Sequence, residues 1–427
     1  MEKRVYTSEE KAMLERANRA VLVGVNFSSN RYEECSWTSL DELEGLLETA
    51  GGVCCAKVLQ SREVPDPATF LGSGKVEELK ELVQLHQAGL IVLDNELSPT
   101  QIRNLERETE ARVIDRSMLI LDIFAMRATT REGKLQVELA QLKYMAPRLT
   151  SSYENLSRLG GGVGTRGPGE SKLETDRRRI REKISLLSAE LKQVVRTRDT
   201  MRKAREKSPI PLVSIIGYTN AGKSTLFNRF TDAGVLEEDR LFATLETVVR
   251  KVRFSDTCEA LVSDTVGFIK KLPHHLVEAF KSTLEEMCYA DVILHVIDVS
   301  NPNWEENERV SLETMESMGV KDTPVITVFN KCDQVPGEAI PKRENAVAVS
   351  ARTGENLSLL REMVEQELSR KKRTVLVGIP YDQGRLLDLL HSRGAVLEME
   401  YQAEYTQVLC RVDEELYGQI AAYLLPQ

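Results

Sequence analysis

Over its first 125 residues the chain alternates short apolar runs with amphipathic stretches. Val21 to Phe27 (VLVGVNF) reads as a buried strand. Ser39, ahead of Asp41-Glu42-Leu43, predicts a helix N-cap and first turn, with the helix ending at Gly51-Gly52. Val53 to Leu59 is a second predicted strand and Val76 to Gln87 a second helix. Leu90 to Leu93 then gives a third strand, Pro99 to Glu108 a third helix, and Arg112 to Asp115 a fourth strand. Strands alternating with helices of this length imply a parallel sheet in an N-terminal α/β domain, residues 1–127. Gly72-Ser73-Gly74-Lys75 resembles a phosphate loop but lacks its spacing and an immediately preceding strand, and is expected to cap the next helix.

From Leu135 the period changes. Leu135, Leu139, Leu142, Ala146, Leu149, Tyr153 and Leu156 are spaced alternately four and three, as are Ile180, Ile184, Leu187, Leu191, Val194 and, past Arg198, Met201. Two such stripes predict an antiparallel helical hairpin over 128–208, either a projecting arm or a pair packed on the body of the protein. Pro147 should interrupt its first arm. The connection, 160–169, carries six glycines in ten residues and cannot build a core of its own. Ser208-Pro209-Ile210-Pro211 opens a third domain over 209–372. After the basic hinge Arg370 to Arg373, a strand (Val375 to Ile379), a helix (Gly384 to His391), two strands (Val396 to Tyr401, Gln407 to Val412) and a last helix predict a small C-terminal α+β domain, 373–427.

Length, composition and charge change this picture in four places. Length alone, 427 residues, requires several cores. No apolar run approaches about 18 residues and the N-terminus has no signal-peptide centre, so a cytoplasmic protein without a membrane span is expected. Seven cysteines without C-x-x-C spacing read as reduced thiols and exclude a disulfide framework or cysteine zinc site. The net charge of −9 is uneven: residues 170–207 hold thirteen Lys and Arg against seven Asp and Glu. Arg158, Arg166, Arg177, Arg178, Arg179 and Arg181 surround the glycine tip and are candidate phosphate-backbone contacts to RNA. A solvated helix face of mixed charge is the plainer alternative.

Chemistry concentrates after Leu212. A β-branched run ends at Gly217, and Gly217-Tyr218-Thr219-Asn220-Ala221-Gly222-Lys223-Ser224 is followed by Thr225, Leu226 and Phe227 opening a helix. Strand, glycine turn and helix N-terminus form a phosphate cradle, with Lys223 as the phosphate counter-charge and Ser224 as a Mg²⁺ ligand. Asp264 in Asp264-Thr265-Val266-Gly267 is placed to hold Mg²⁺ through water, and the Gly267 N–H to meet the γ-phosphate. Thr244 in Phe242-Ala243-Thr244-Leu245 is the candidate switch threonine completing the Mg²⁺ shell, with Thr247 as its competitor. Asn330-Lys331-Cys332-Asp333 selects guanine: Asp333 accepts from the donor edge of the base, Lys331 lies along it, and the loop Ser350-Ala351-Arg352 offers a backbone N–H to O6. His274 and His275 read as helix-entry residues.

The set GYTNAGKS, FATL, DTVGF, NKCD and SA resembles the translation-factor-related GTPases. With LGGGVGTRGPGESKLETDRRRI upstream, nearly the whole chain resembles the HflX family of ribosome-associated GTPases. That resemblance implies an α/β domain, a hairpin, a P-loop GTPase domain and a small C-terminal domain. It further implies binding of GTP and GDP, contact with the large ribosomal subunit and its rRNA, a hairpin tip reaching toward the peptidyl-transferase region, and separation of stalled or idle ribosomes. The chain would then be a monomer off the ribosome and peripheral to the membrane only through ribosomes. In potassium-activated relatives an asparagine placed as Asn220 helps hold K⁺; a loop-shaping role is its alternative. Glu246-Thr247-Val248 departs from the family's Asp-Pro-Thr, and Phe268 stands where Ras-like GTPases carry a water-positioning glutamine, which implies slow intrinsic hydrolysis, with Lys223, Thr244 and Gly267 as its catalytic groups. An RNA-remodelling or RNA-modification GTPase and a regulatory protein-binding switch are the other readings, and a second nucleotide on the N-terminal domain stays open.

Overall fold

The computed structural model describes residues 16, 18–27, 35–149, 168–206, 210–231, 241–242, 247–255, 258–271, 285–320, 323–370, 373–393, 395–412 and 414–425. The chain divides into two compact units. The first is 1–197 with the short segments 238–245 and 271–281; the second is 198–237, 246–270 and 282–427.

In the first unit, β1 (Arg19–Phe27), α1 (Trp37–Thr49), β2 (Val53–Arg62), α2 (Ser73–His86), β3 (Leu90–Leu93), α3 (Pro99–Thr109), β4 (Arg112–Asp115) and α4 (Arg116–Arg127) follow in order. The sheet order is β2-β1-β3-β4, all parallel. Central β1 reads apolar without alternation because both of its faces are buried, Val21, Leu22, Val23 and Val25 all at zero exposure. The Gly72 expectation holds: Gly72 is the N-cap of α2.

The predicted N-cap at Ser39 is corrected. Helix α1 begins three residues earlier than that cap implies, at Trp37, capped by Ser36, whose Oγ accepts from the Ser39 N–H. The Ser39 hydroxyl instead donates to Asp94 at 2.6 Å. Asp94, just past β3, also receives Arg116 Nη1 at 2.8 Å, and Arg116 Nη2 reaches Glu42. Burial works to raise the Asp94 pKa, but Arg116 and Lys271 outweigh it and hold the carboxyl below its ordinary value.

The hairpin forms where Leu135 to Leu142 and Ile184 to Val194 predict it; Ala146 and Leu149 fall in a 3₁₀ turn, and Tyr153, Leu156 and the Met201 side chain lie outside what the structure describes. Helix α5 (Arg131–Met145) runs into a 3₁₀ turn, Ala146–Leu149, at Pro147. Its partner α6 (Pro168–Glu206) packs Leu187, Ile184, Leu191 and Val194 against Leu135, Leu139 and Leu142. Pairing of Lys183 with Glu138 at 2.5 Å and of Arg131 with Glu190 at 3.6 Å makes the two antiparallel. The end of α5 that leads into the glycine connection is tied to the sheet: Tyr144 donates to Asp115 Oδ1 at 2.6 Å and Arg148 to its Oδ2 at 3.0 Å, with the guanidinium 3.3 Å from the Tyr144 ring centre. Most of the glycine tip, with Arg158 and Arg166, lies outside the described residues.

The second unit is built on β5 (Leu212–Gly217), α7 (Lys223–Thr231), β6 (Val248–Ser255), β7 (Cys258–Asp264), β8 (Val292–Asp298), α8 (Trp304–Ser317), β9 (Val325–Asn330), β10 (Ala346–Ala348) and α9 (Leu357–Arg370). The order is β10-β9-β8-β5-β7-β6, parallel except for edge strand β6. A separate antiparallel sheet, β11 (Arg373–Pro380), β12 (Ala395–Tyr401) and β13 (Tyr405–Val412), is covered by α10 (Gly384–Arg393) and α11 (Glu414–Ile420). The α/β fold class with its C-terminal sheet is therefore as the sequence predicts. No described helix is long and apolar enough to cross a membrane, and all seven cysteines are free.

Candidate functional site

The cradle forms at the carboxyl end of β5, with Gly217 closing the strand and α7 starting at Lys223. Gly217 has φ 150, and a Cβ there would lie 2.2 Å from the Val296 carbonyl oxygen of neighbouring β8. Gly222 has φ 89, and a Cβ there would meet Asn330 Nδ2 at the same 2.2 Å. Both glycines are thus required by shape, one by the sheet and one by the base-binding loop.

Lys223 is 6% exposed and donates to the Tyr218 carbonyl at 2.7 Å. Burial pushes its pKa down to about 8, with Asp264 acting in the opposite direction. Ser224 Oγ donates to Asp264 Oδ2 at 2.8 Å, so the two predicted Mg²⁺-holding groups are neighbours. Hydroxyl and carboxylate oxygens beside a phosphate cradle are the hard donors Mg²⁺ takes, with water completing its shell. Gly267 lies close by: a Cβ on it would sit 2.8 Å from Lys223 Nζ and from Thr219 Cα. The loop carrying Gly267 is stitched to the cradle by the Thr219 N–H to Phe268 O (2.7 Å) and the Phe268 N–H to Gly217 O (3.0 Å). Thr219 is buried, Asn220 is exposed at φ 61, and Ala221 is buried. Thr225 is half-buried in the first turn of α7. Thr244 lies outside the described residues; its competitor Thr247 has a buried hydroxyl without a partner among the described residues.

At the base end, Asn330 is not free to read a base. Its Nδ2 donates to Ala221 O at 2.8 Å and its Oδ1 accepts from the Ala351 N–H at 3.0 Å. One side chain therefore joins the phosphate loop to both base-binding loops. The Ala351 N–H, one of those in the loop expected to offer an N–H to guanine O6, is spent on this bond. Lys331, at φ 62, pairs with Asp298 at 2.7 Å, and Asp333 is exposed on the turn Cys332–Gln334. Ser350 is fully buried, and Arg229 Nε donates to Ala351 O at 2.9 Å while its Nη2 reaches Arg352 O. Sequence reading missed Arg229 and Asp298, which sit in no motif and act only through the loops they hold. It also missed His295 on β8, whose pKa burial pushes down to about 4, so it is neutral at pH 7 and no proton relay.

A polyphosphate binds the charged form of Lys223 and raises its pKa again, so binding must take up a proton wherever the free lysine is partly neutral. At pH 8.5 GTP binding should take up roughly half a proton or more, falling toward zero at pH 7. Calorimetry in buffers of different ionisation enthalpy reads this directly, and uptake independent of pH would contradict it.

Strand, glycine cradle, buried lysine, serine–aspartate pair and an exposed carboxylate at the base loop define a P-loop GTPase. The family described as "50S ribosome-binding GTPase" matches residues 212–331, "GTP-binding GTPase N-terminal" matches 37–125 and "GTP-binding GTPase Middle Region" matches 127–205. GTPase HflX of Lacrimispora saccharolytica is 49% identical over 406 residues, covering 94% of this chain and 95% of its own. GTPase HflX of Escherichia coli K12 is 42% identical over 400 residues, covering 92% and 93%. The chain belongs to the HflX family of GTPases, and it binds and hydrolyses GTP.

Proposed function

We propose that the chain uses GTP to control its grip on the large ribosomal subunit and so separates stalled or idle ribosomes into subunits. The observation that carries this is the arm. Leu135, Leu139 and Leu142 of its apolar stripe are consumed by packing on Ile184, Leu187, Leu191 and Val194, while Arg178, Arg179 and Arg181 stay exposed on α6. Arg177 is half-buried, and Arg178 shares its charge with Glu182 at 2.8 Å. Guanidiniums left on the outside of a packed hairpin suit an RNA backbone better than a protein docking stripe. The match of 212–331 to the family described as 50S ribosome-binding GTPase supports a 50S partner.

In this reading Lys223 neutralises the phosphates, Ser224 and Asp264 hold Mg²⁺, Gly267 and Thr244 respond to the γ-phosphate, and Asp333 reads guanine. Mg²⁺ supplies charge neutralisation at the phosphates. Phe268 is buried and contributes only its backbone to the cradle, so no side chain there orients water and hydrolysis by the isolated chain is slow. K⁺ beside Asn220 is a second proposed ion. The chain acts as a monomer in the cytoplasm, reaching membranes only with ribosomes.

Sedimentation with ribosomes tests this. Association should be strong with a non-hydrolysable GTP analogue and weak with GDP. Replacing Arg177, Arg178 and Arg179 by Ala should weaken it about tenfold or more and flatten its salt dependence. Equal association in every nucleotide state would end the proposal.

A further inference from the structure

Three hydroxyls around the phosphate cradle have partners. Ser224 Oγ donates to Asp264, Thr265 Oγ1 donates to Ile215 O at 2.9 Å, and the Tyr218 hydroxyl accepts from the Lys270 N–H at 2.8 Å. Thr219 differs: it is 6% exposed, and its Oγ1 is buried without a hydrogen-bond partner among the described residues. Folds rarely keep a hydroxyl in this state, because taking it from water without a new bond costs stability. Valine would fill the same space with no unbonded oxygen, so packing alone does not ask for threonine here.

The backbone on either side of this hydroxyl is held. The Thr219 N–H donates to Phe268 O at 2.7 Å, and the carbonyl before it, Tyr218 O, accepts from Lys223 at 2.7 Å. Only rotation about its own χ1 is left to the side chain. Gly267 packs directly on it: a Cβ there would come 2.8 Å from Thr219 Cα, 2.9 Å from Thr219 Cγ2 and 2.8 Å from Lys223 Nζ. Thr219 thus stands beside the two groups assigned to the γ-phosphate, and all three residues belong to the second unit.

We propose that the Thr219 hydroxyl donates a hydrogen bond to an oxygen of the γ-phosphate and so favours the triphosphate over the diphosphate. The proposal rests on the reading of Gly267 as a backbone partner of the γ-phosphate. A phosphoryl oxygen only accepts, and a hydroxyl already buried beside it gives up no water when it turns its proton that way. A diphosphate has no oxygen at that end of the cradle, so with GDP the hydroxyl stays unbonded. The inner phosphates are left to the start of α7, where Lys223 and Ser224 lie.

The test uses the full chain, GDP and a non-hydrolysable GTP analogue, and needs no ribosome. Thr219→Val keeps the shape and removes the hydroxyl. It should weaken binding of the analogue about five- to thirtyfold and leave that of GDP within about twofold. Free of nucleotide, it should melt no lower than the parent, since an unbonded polar atom has been removed. Thr219→Ser retains the hydroxyl and should retain the parental ratio of the two Kd values. Equal loss of both nucleotides with a lower melting temperature would mark the hydroxyl as merely structural and overturn the proposal, as would an unchanged ratio. Gly267→Ala examines the underlying reading separately, because its Cβ meets Lys223 and Thr219 and should cost the analogue more than GDP. If Gly267→Ala costs both alike, that reading falls; if it separates them and Thr219→Val does not, only the role of the hydroxyl fails.

Discussion

Asp333→Asn is expected to convert the protein from GTP to xanthosine triphosphate. Asp333 stands exposed on its turn behind β9, with the loops around it already fixed by Asn330 and Arg229. The substitution therefore changes what the site reads without changing what holds it. Guanine offers two N–H donors to a carboxylate; an amide in its place leaves a donor facing a donor. Xanthine carries a carbonyl where guanine has its amino group and accepts from the new amide. Discrimination of this kind, resting on a polar group left unpaired, amounts to roughly 10³- to 10⁴-fold. Competition binding of the two triphosphates to parent and variant reads it, and a variant that still prefers GTP would place base selection elsewhere.

Gly217→Ala is expected to damage both fold and site. The backbone at Gly217 lies at φ 150, outside the range of L side chains, and its new Cβ would meet a strand carbonyl, which cannot swing aside as a flexible side chain can. Relief requires β5 and β8 to part at the point where the cradle begins, since Gly217 pairs with Val296. A loss of about 3 kcal/mol or more in stability should follow, together with loss of GTP binding. Denaturant melts with and without nucleotide measure both. A variant of parental stability would show that the strand pairing is more pliant than its geometry implies.

Much of this was legible in the residues. β3 and β4 begin and end where their apolar runs do, and the C-terminal strands fall within two residues of expectation. The cradle was legible because its glycines, lysine and serine fall in one uninterrupted run, although what crowds Gly217 and Gly222 comes from Val296 and Asn330, far along the chain. Helix α4 was not: its run SMLILDIFAM is apolar on nearly every side, so it carries no periodicity to announce it. Strand β6 was hidden for the opposite reason, as an edge strand with arginine and lysine between its valines. Ser36 and Ser39 are equally good caps on local grounds, and what decides between them is Asp94, 55 residues away, which takes the Ser39 hydroxyl. Asn330 shows the same limit within the site. Its motif marks it as important, but only the fold shows that it braces the loops.

The long helix of the hairpin has a mechanical consequence. Thirty-nine residues at about 1.5 Å each make a rod of roughly 58 Å, and α5, fifteen residues long, can run beside less than half of it. With Glu138 level with Lys183 and Arg131 with Glu190, the end of α5 at Met145 comes level with about residue 176, and roughly 12 Å of α6 runs on from there to Pro168. A tilt of about ten degrees at that end displaces Pro168 by about 2 Å. Asp115, Tyr144 and Arg148 clamp α5 at that same end, so they set the aim of the first two turns of the long helix.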